Sequence, residues 1–209
     1  MKKIIILFLI ATLEIPSYGQ PGKSEGEIQT LFGSDWHSLG GYIGFGAGYS
    51  MIDDKDGIVM TGRAALLTGH NLGIGVAGAG FINDFHYNPA LDADVNLTGG
   101  YGGILIEPIL FPRSPVHLAF PVVAGIGGIA YTTSNFTGEP WDYYEAWVED
   151  TETFLIIEPG IELEFNLLKF FRLAMGMSYR YTSHIDLMDT PSNVLEGFTT
   201  GISFKFGKF

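Results

Sequence analysis

The residues best suited to do chemistry in this sequence are carboxylates and guanidinium groups that recur in one C-terminal stretch. Glu158, Glu162 and Glu164 are followed, after a short turn, by Arg172 and Arg180. Residues an even number of positions apart on a strand share a face, so each set is expected to line one surface. Paired carboxylates can serve as general acid and base, whereas carboxylates beside arginines form ion pairs. Which chemistry applies depends on the elements that carry them.

A second group with chemical potential is the segment "SHID", residues 183–186, which contains a hydroxyl, an imidazole and a carboxylate. Neighbouring residues on a strand point to opposite faces, which weakens Ser183 and His184 as a nucleophile and its base. The five histidines show no metal-ligand spacing, and the chain has no cysteine. No catalytic residue, no metal site and no cofactor is therefore expected.

The elements that must position these residues are β-strands, because bulky apolar residues alternate with small or charged ones along most of the chain. Eight strand-like segments are expected, at 39–51, 58–68, 72–84, 95–109, 116–132, 153–165, 170–184 and 196–207. Short connections alternate with longer polar loops, as in outer-membrane barrels. The pattern predicts an all-β fold, an eight-stranded antiparallel up-and-down transmembrane β-barrel.

The two faces of these strands differ in side-chain size. In the first segment, most odd positions from Leu39 to Met51 hold large residues, and the even positions are mostly glycine. Eight strands enclose too little space for five or six bulky side chains each. The bulky face is therefore expected to contact lipid, and the small and charged face to fill the lumen.

If the small and charged face fills the lumen, the charged side chains should form a buried network, because an isolated buried charge is very costly. The expected members are Arg63, Glu158, Glu162, Glu164, Arg172, Arg180 and Lys205, with His117 facing the same way. A plug that fills the lumen is favoured over a selective pore. Strict alternation sends Glu107 outward, and a bulge among residues 99–103 would turn it inward, so its facing stays open.

Composition sets the broad class of the protein. The 209 residues are 46% hydrophobic and only 16% charged, and the net charge of −12 argues against nucleic acid as a partner. Residues 1–19 have the charged start and apolar run of a secretory signal peptide. Residues 20–37 form a polar lead, and 38–209 the barrel; residues 20–209 contain no apolar run of a length that would span a membrane as a helix.

The segments "GGYIGFGAGYS", "GGILIEPILFPRSPVHLAFPVVAGIGG" and "IIEPGIELEFNLLKFFRLAMGMSYR" carry a family resemblance. Over about residues 28–209 the chain resembles the small eight-stranded outer-membrane barrels, the broad class of the OmpA transmembrane domain and OmpX. The resemblance implies a Gram-negative outer membrane, insertion by the outer-membrane machinery and contact with lipid and lipopolysaccharide. Our own expectation is a monomer without enzymatic activity.

The segment "SNFTGEPWDYYEAWVED" is the best candidate for contact with another molecule, because aromatic side chains favour recognition. Its candidate contact residues are Trp141, Tyr143, Tyr144 and Trp147. The expected function is a structural or surface-recognition role through external loops. Two alternatives stay open: a lipid-modifying outer-membrane enzyme, as some small barrels are, and a secreted soluble barrel that would need its bulky face inside around a ligand.

Overall fold

The computed structural model describes residues 39–88, 93–134, 146–188 and 190–209. The expected signal peptide and the polar lead lie outside these residues. The strands are β1 (Leu39–Ile52), β2 (Lys55–Thr68), β3 (Leu72–Asn83), β4 (His86–Asn88), β5 (Ala93–Leu110), β6 (Val116–Ala119), β7 (Val122–Ser134), β8 (Ala146–Leu168), β9 (Phe171–Thr182) and β10 (Gly197–Lys208). The described residues contain no helix long and apolar enough to cross a membrane.

These segments close into one antiparallel barrel in which eight strand positions follow one another around the ring. The ring runs β1, β2, β3, β5, β7, β8, β9 and β10, and β10 pairs back onto β1. The short β4 continues β3 at the same position in the ring, since both pair with β5. The short β6 likewise shares one position with β7, since both lie between β5 and β8. Among the described residues each of these eight strands is thereby paired on both sides over the height of the ring, as a bilayer requires. The predicted eight-stranded barrel is confirmed.

The bulky face of the wall points outward. In the described residues 35 large hydrophobic side chains are exposed, among them Phe45, Met60 and Ile126, each at 60% or more. A water-soluble protein does not leave so much contiguous apolar surface uncovered. The alternative of a secreted soluble barrel with its bulky face inside is therefore wrong.

Two aromatic clusters mark the two edges of this apolar wall. At one edge the ring of Tyr179 packs against those of Tyr181 and Phe198, and at the other edge Phe171 stacks on Phe206. Phe198 and Phe206 are eight residues apart on β10, about 27 Å of strand or roughly 20 Å along the axis of a tilted barrel. This is close to the height of about 25 Å that the apolar band of such barrels has.

The loop end of the barrel is the end that carries the turn at Asp53–Asp54 and the long connections. The turn end is the end that carries the short connections at 69–71, 111–115 and 169–170. The fifth expected segment is broken at Phe120–Pro121, because Pro121 has no N–H to give to a ladder. The strand β8 is longer than predicted, because it begins at Ala146, inside a segment expected to be a loop, whereas β9 ends at Thr182, before the predicted end at 184.

The strand β5 departs from the expected division into bulky outside and small inside. Its inward positions hold Leu97, Tyr101, Leu105 and Ile109, all buried, together with a fully buried Glu107. Pairing of β5 with β3 and β7 is regular through residues 99–103, so no bulge lies there. Glu107 faces the lumen because it shares a face with these buried residues. The sequence left this facing ambiguous, because β5 has large residues on both faces.

Candidate functional site

The lumen gathers most of the charged side chains that the wall carries. Toward the turn end, three cations face three carboxylates in one cluster: Arg63, Arg172 and Lys205 with Glu107, Glu162 and Glu164. They come from β2, β5, β8, β9 and β10, so the cluster connects strands on opposite sides of the barrel. We call these six residues the charge cluster.

Lys205 is the centre of the charge cluster and is fully buried. Its Nζ donates to both oxygens of Glu107 at 3.1 Å, lies 2.9 Å from Oε2 of Glu162, and also bonds Glu164. Ligand oxygens of the three glutamates lie within 4.8 Å of one another, a spacing that could hold a metal ion. Lys205 already supplies the positive charge there.

The remaining members complete the pairing from both sides. Arg63 makes two hydrogen bonds to Glu162, of 2.7 and 3.1 Å, and one of 3.4 Å to Glu107. Arg172 donates to Glu164 at 3.2 Å, and the buried His117 donates from Nε2 to the same carboxylate at 2.7 Å. The six residues of the charge cluster thus carry three positive and three negative charges.

A small apolar cluster lies beside the charge cluster at the turn end. It contains the buried Tyr42, Leu67, Leu105 and Ile109, and the C-terminal Phe209 packs against it. The Tyr42 hydroxyl donates to Glu107 at 2.7 Å. The ring of Phe209 stacks on Tyr42, and the Arg172 guanidinium lies 3.8 Å from the ring centre of Phe209. Phe209 is an odd number of residues from Phe204 and Phe206 and therefore lies on the other face: those two rings point outward, and Phe209 points inward.

Between the charge cluster and the loop end lies a chamber of about 90 Å³ in the middle of the lumen. Glu158 lines it and accepts hydrogen bonds from Ser178 Oγ at 2.5 Å and from the Tyr101 hydroxyl. Arg63 and Glu162 line it on the side of the charge cluster. The chamber is thus lined both by side chains of the charge cluster and by side chains that lie nearer the loop end.

The loop end of the lumen is filled by apolar side chains. Residues 183–188 and 190–196 fold into the mouth; we call them the plug loop. Their buried members are Ile185, Leu187, Val194 and Leu195, and they pack among inward residues of the wall such as Phe154. The connection between β9 and β10, which was expected to be a polar external loop, therefore closes the barrel from within.

Arg180 ties the plug loop to the wall. This fully buried side chain donates from Nε to the carbonyl oxygen of Leu195 at 3.0 Å. Its two other nitrogens donate to Thr199 Oγ1 at 2.8 Å and to Ser50 Oγ at 2.6 Å. Arg180 thereby satisfies a carbonyl that the plug loop would otherwise bury without a partner.

The sequence-predicted network is thus divided by the structure. Arg63, Glu162, Glu164, Arg172 and Lys205 meet in the charge cluster, whereas Glu158 and Arg180 lie nearer the loop end and pair with hydroxyl or backbone groups. Sequence reasoning left out two members, Glu107 and the Tyr42 hydroxyl that bonds it. The signal for Glu107 was available in "IEP", which repeats at 157–159 around the inward Glu158.

The remaining sequence candidates fall at the loop end. Trp141, Tyr143 and Tyr144 lie outside the described residues, and the backbone of Trp147 is part of β8, opposite Thr133. Within the described residues His184 makes no hydrogen bond to Ser183, whose Oγ instead accepts from the backbone N–H of Leu155 at 3.0 Å.

No protein-family model matches the chain, and no curated protein matches it. Solved structures do share its fold. Neisserial surface protein A is 11% identical, with a TM-score of 0.53 over 82% of this chain and 97% of that chain. A major outer membrane protein from Thermus thermophilus is 12% identical, with a TM-score of 0.51 over 82% and 100%. The chain therefore has the fold of the small outer-membrane β-barrels.

Proposed function

We propose that this protein is a monomeric barrel of a Gram-negative outer membrane whose filled lumen conducts nothing and whose external loops carry a structural or recognition role. The observation that carries the proposal is the occupation of both ends of the lumen by the chain's own side chains. The plug loop fills the loop end, and the charge cluster with Phe209 fills the turn end. An eight-stranded barrel leaves little room beyond such a filling.

The location in an outer membrane is supported by the outward wall. Its exposed apolar side chains and the two aromatic clusters match a bilayer with two interfaces. A closed barrel of this type would be inserted from the periplasm, after export directed by residues 1–19. Its contacts would be outer-membrane lipid and lipopolysaccharide, with the insertion machinery as a transient partner.

The recognition role is supported by the hairpin of β7 and β8. Residues 146–155 of β8 pair with β7 but lie beyond the part of β8 that pairs with β9, which begins at Ile156. This hairpin leads into residues 135–145 of the sequence, which contain Trp141, Tyr143 and Tyr144. An aromatic-rich segment held on such a hairpin is suited to contact a surface molecule.

The proposal is tested by membrane fractionation, by gel mobility with and without boiling, and by conductance in planar bilayers. We expect an outer-membrane fraction, a heat-dependent shift and no steady conductance from the refolded protein. A steady open conductance would contradict the filled lumen, and a protein recovered in the soluble fraction would contradict the membrane location. A variant with Trp141, Tyr143 and Tyr144 replaced by Ser should keep the mobility shift and lose any surface binding of cells that express it.

A lipid-modifying enzyme remains the second candidate. It would need a His with a Ser or an Asp converging at the outer rim, and the segment 183–186 is where these residue types occur together. Replacing His184 by Ala tests it: analysis of extracted lipid A by mass spectrometry should show no difference from wild type if the protein has no such activity.

A further inference from the structure

The outer surface of the barrel carries opposite charges at its two ends. Outside the lumen, the described Lys and Arg side chains are Lys55 at the loop end and Arg113, Lys169 and Lys208 at the turn end. Apart from Glu158 in the chamber, the described carboxylates that are exposed or half-buried lie at the loop end: Asp53, Asp54, Asp56, Asp84, Asp94, Asp150, Glu152, Asp186 and Glu196. The rim of the turn end is therefore positive, and the rim of the loop end is strongly negative.

The three cations of the turn end have no carboxylate side chain as a partner among the described residues. Arg113, Lys169 and Lys208 form none of the salt bridges, and the glutamates of the turn end all belong to the charge cluster, where they are buried. A surface whose charges have one sign attracts molecules of the opposite sign. The turn end thus fits a partner that is negatively charged.

Arg113 is carried by a rigid turn. The proline before it fixes φ at the first central position, and the N–H of Ser114 closes the turn by donating to the Phe111 carbonyl oxygen at 2.9 Å. Asn166 of β8 fixes the turn further, because its side-chain amide donates to the carbonyl oxygen of Ser114 at 2.9 Å. A backbone held in this way loses little conformational freedom when Arg113 binds a ligand.

Lys169 and Lys208 lie on the neighbouring connection and the neighbouring strand end. Lys169 is in the turn between β8 and β9, and Gly207 of β10 donates its N–H to the carbonyl oxygen of Phe170 in that turn at 2.9 Å. Lys208 follows Gly207 directly. Since the end of β8 also holds the turn of Arg113, the three cations follow one another along a single arc of the rim, which we call the cationic arc.

Apolar side chains are exposed along the cationic arc. Phe111 is 69% exposed, Phe170 58% and Leu168 55%. Phe111 has a φ of 57°, a conformation that bulky residues rarely adopt, so the turn holds this ring at the rim at a cost in backbone strain. Cations beside exposed apolar side chains match the boundary of a bilayer, where phosphate groups lie next to acyl chains.

We propose that the cationic arc is a docking surface for anionic phospholipids of the periplasmic leaflet, with Arg113, Lys169 and Lys208 against their phosphate groups. Arginine can donate two parallel hydrogen bonds to one phosphate, and lysine supplies a compact charge. A headgroup with a net negative charge is favoured over a zwitterionic one, because the described rim offers no carboxylate side chain to the ammonium group of the latter. The inference rests on the proposed membrane location, in which the short connections face the periplasm, and deepens it by naming the lipid class.

The direct test is native mass spectrometry of the refolded protein, released from detergent that contains phosphatidylglycerol or phosphatidylcholine with the same acyl chains at equal concentration. Wild type should retain phosphatidylglycerol more tightly by about tenfold or more, since each Lys or Arg near an anionic lipid surface strengthens the attraction by about fivefold. The triple variant with Arg113→Gln, Lys169→Gln and Lys208→Gln should bind both lipids alike. Equal retention of the two lipids by wild type overturns the proposal.

Single variants provide the matched control. Lys169→Gln and Lys55→Gln each remove one positive charge, but only the first removes it from the cationic arc. Lys169→Gln should weaken the retention of phosphatidylglycerol by about fivefold, and Lys55→Gln should leave it unchanged. An equal loss in both would reflect net charge alone and would overturn the proposal. These two variants also decide the matter if the triple variant does not fold.

Insertion into lipid vesicles separates this inference from the proposed function. If the protein inserts into vesicles of neither lipid, the membrane location fails and the inference fails with it. If it inserts into both, with a heat-dependent mobility shift, and shows no preference for phosphatidylglycerol, only the inference is overturned. If the triple variant keeps the lipid preference of wild type but no longer sediments with isolated peptidoglycan as wild type does, the cationic arc binds that anionic polymer and the proposal is again overturned.

Discussion

The two ends of the lumen are closed by opposite chemistry. The loop end is closed by apolar side chains that a connecting segment, the plug loop, brings in from outside the wall. The turn end is closed mainly by the charge cluster, whose six members are all part of wall strands. A barrel of one architecture thus uses burial of hydrocarbon at one end and charge pairing at the other.

This difference determines how each end should respond to damage. Apolar burial is roughly proportional to area and is lost piece by piece, so a defect in the plug loop should remain local. Charge pairing is shared: Lys205 bonds three carboxylates, and each of these also bonds an arginine. Removing one shared charge leaves several groups uncompensated, so a defect in the charge cluster should spread through the wall.

The largest effect is expected from Lys205→Met. This substitution keeps most of the side-chain volume but leaves Glu107, Glu162 and Glu164 without their central cation. Breaking a buried charge network by removing one partner typically costs about 3–5 kcal/mol. The free energy of unfolding, measured by urea titration in detergent, should fall by that amount.

Lys208→Met is the matched control, because Lys208 lies on the same strand and is more exposed than the fully buried Lys205. Its free energy of unfolding should stay within about 0.5 kcal/mol of wild type. Adding Glu107→Gln to Lys205→Met should recover part of the loss, since it removes one carboxylate while Arg63 keeps Glu162 and Arg172 keeps Glu164 as partners. Equal stability of the Lys205 and Lys208 variants would show that the charge cluster does not hold the turn end.

A smaller and more local effect is expected from Leu195→Ala at the loop end. Leu195 is fully buried in the plug loop, and truncation of such a leucine costs about 3 kcal/mol when the cavity cannot collapse. Hydrogen exchange should become faster in residues 183–196 while the amides of the wall strands stay protected. Met188→Ala, an exposed position of the same loop, should change neither quantity. Loss of protection throughout β8, β9 and β10 would remove the contrast between the two ends.

The sequence predicted the wall far better than it predicted the filling of the lumen. The strand β9 alternates strictly, and lipid and lumen impose opposite demands on neighbouring positions, so its phase can be read directly. The strand β1 alternates less strictly, because Tyr42 and Ile52 are buried on its inward side. On β5 that rule fails, because Leu97, Leu105 and Ile109 pack into the lumen beside Glu107. Large residues on both faces leave no periodic signal for the inward side.

The partners within the lumen could not be predicted for a different reason. Contacts such as Lys205 with Glu107 join residues 98 positions apart across the barrel, and no local pattern encodes them. The plug loop did carry a signal, since five apolar residues at 185–195 are unusual in an external loop. That signal is irregularly spaced, as expected for side chains that fill a mouth and do not line a strand face.

The smallest effect is expected at the rim of the loop end, at Asp53. The turn at Asp53–Asp54 has φ of 56° and 54°, which fits a two-residue hairpin turn, and Asp53 donates its backbone N–H to the plug-loop carbonyl of Val194 at 3.3 Å. Partial burial raises the pKa of the Asp53 carboxyl, and the nearby His86 and Lys55 only partly oppose this.

A raised folded pKa means that Asp53 favours folding in its protonated form, and that this contribution is lost as pH rises through the folded pKa. Asp53→Asn should therefore raise the free energy of unfolding at pH 7, by no more than about 0.5 kcal/mol, and should lose this advantage near pH 3. Asn also tolerates the positive φ, and the backbone bond to Val194 is kept. Urea titrations at the two pH values, with Asp54→Asn as the control, measure the difference. A loss of more than about 1 kcal/mol at pH 7 would mean that the contact of Asp53 with His86, at 3.5 Å, helps to hold the loop end, which would then depend on polar contacts as the turn end does.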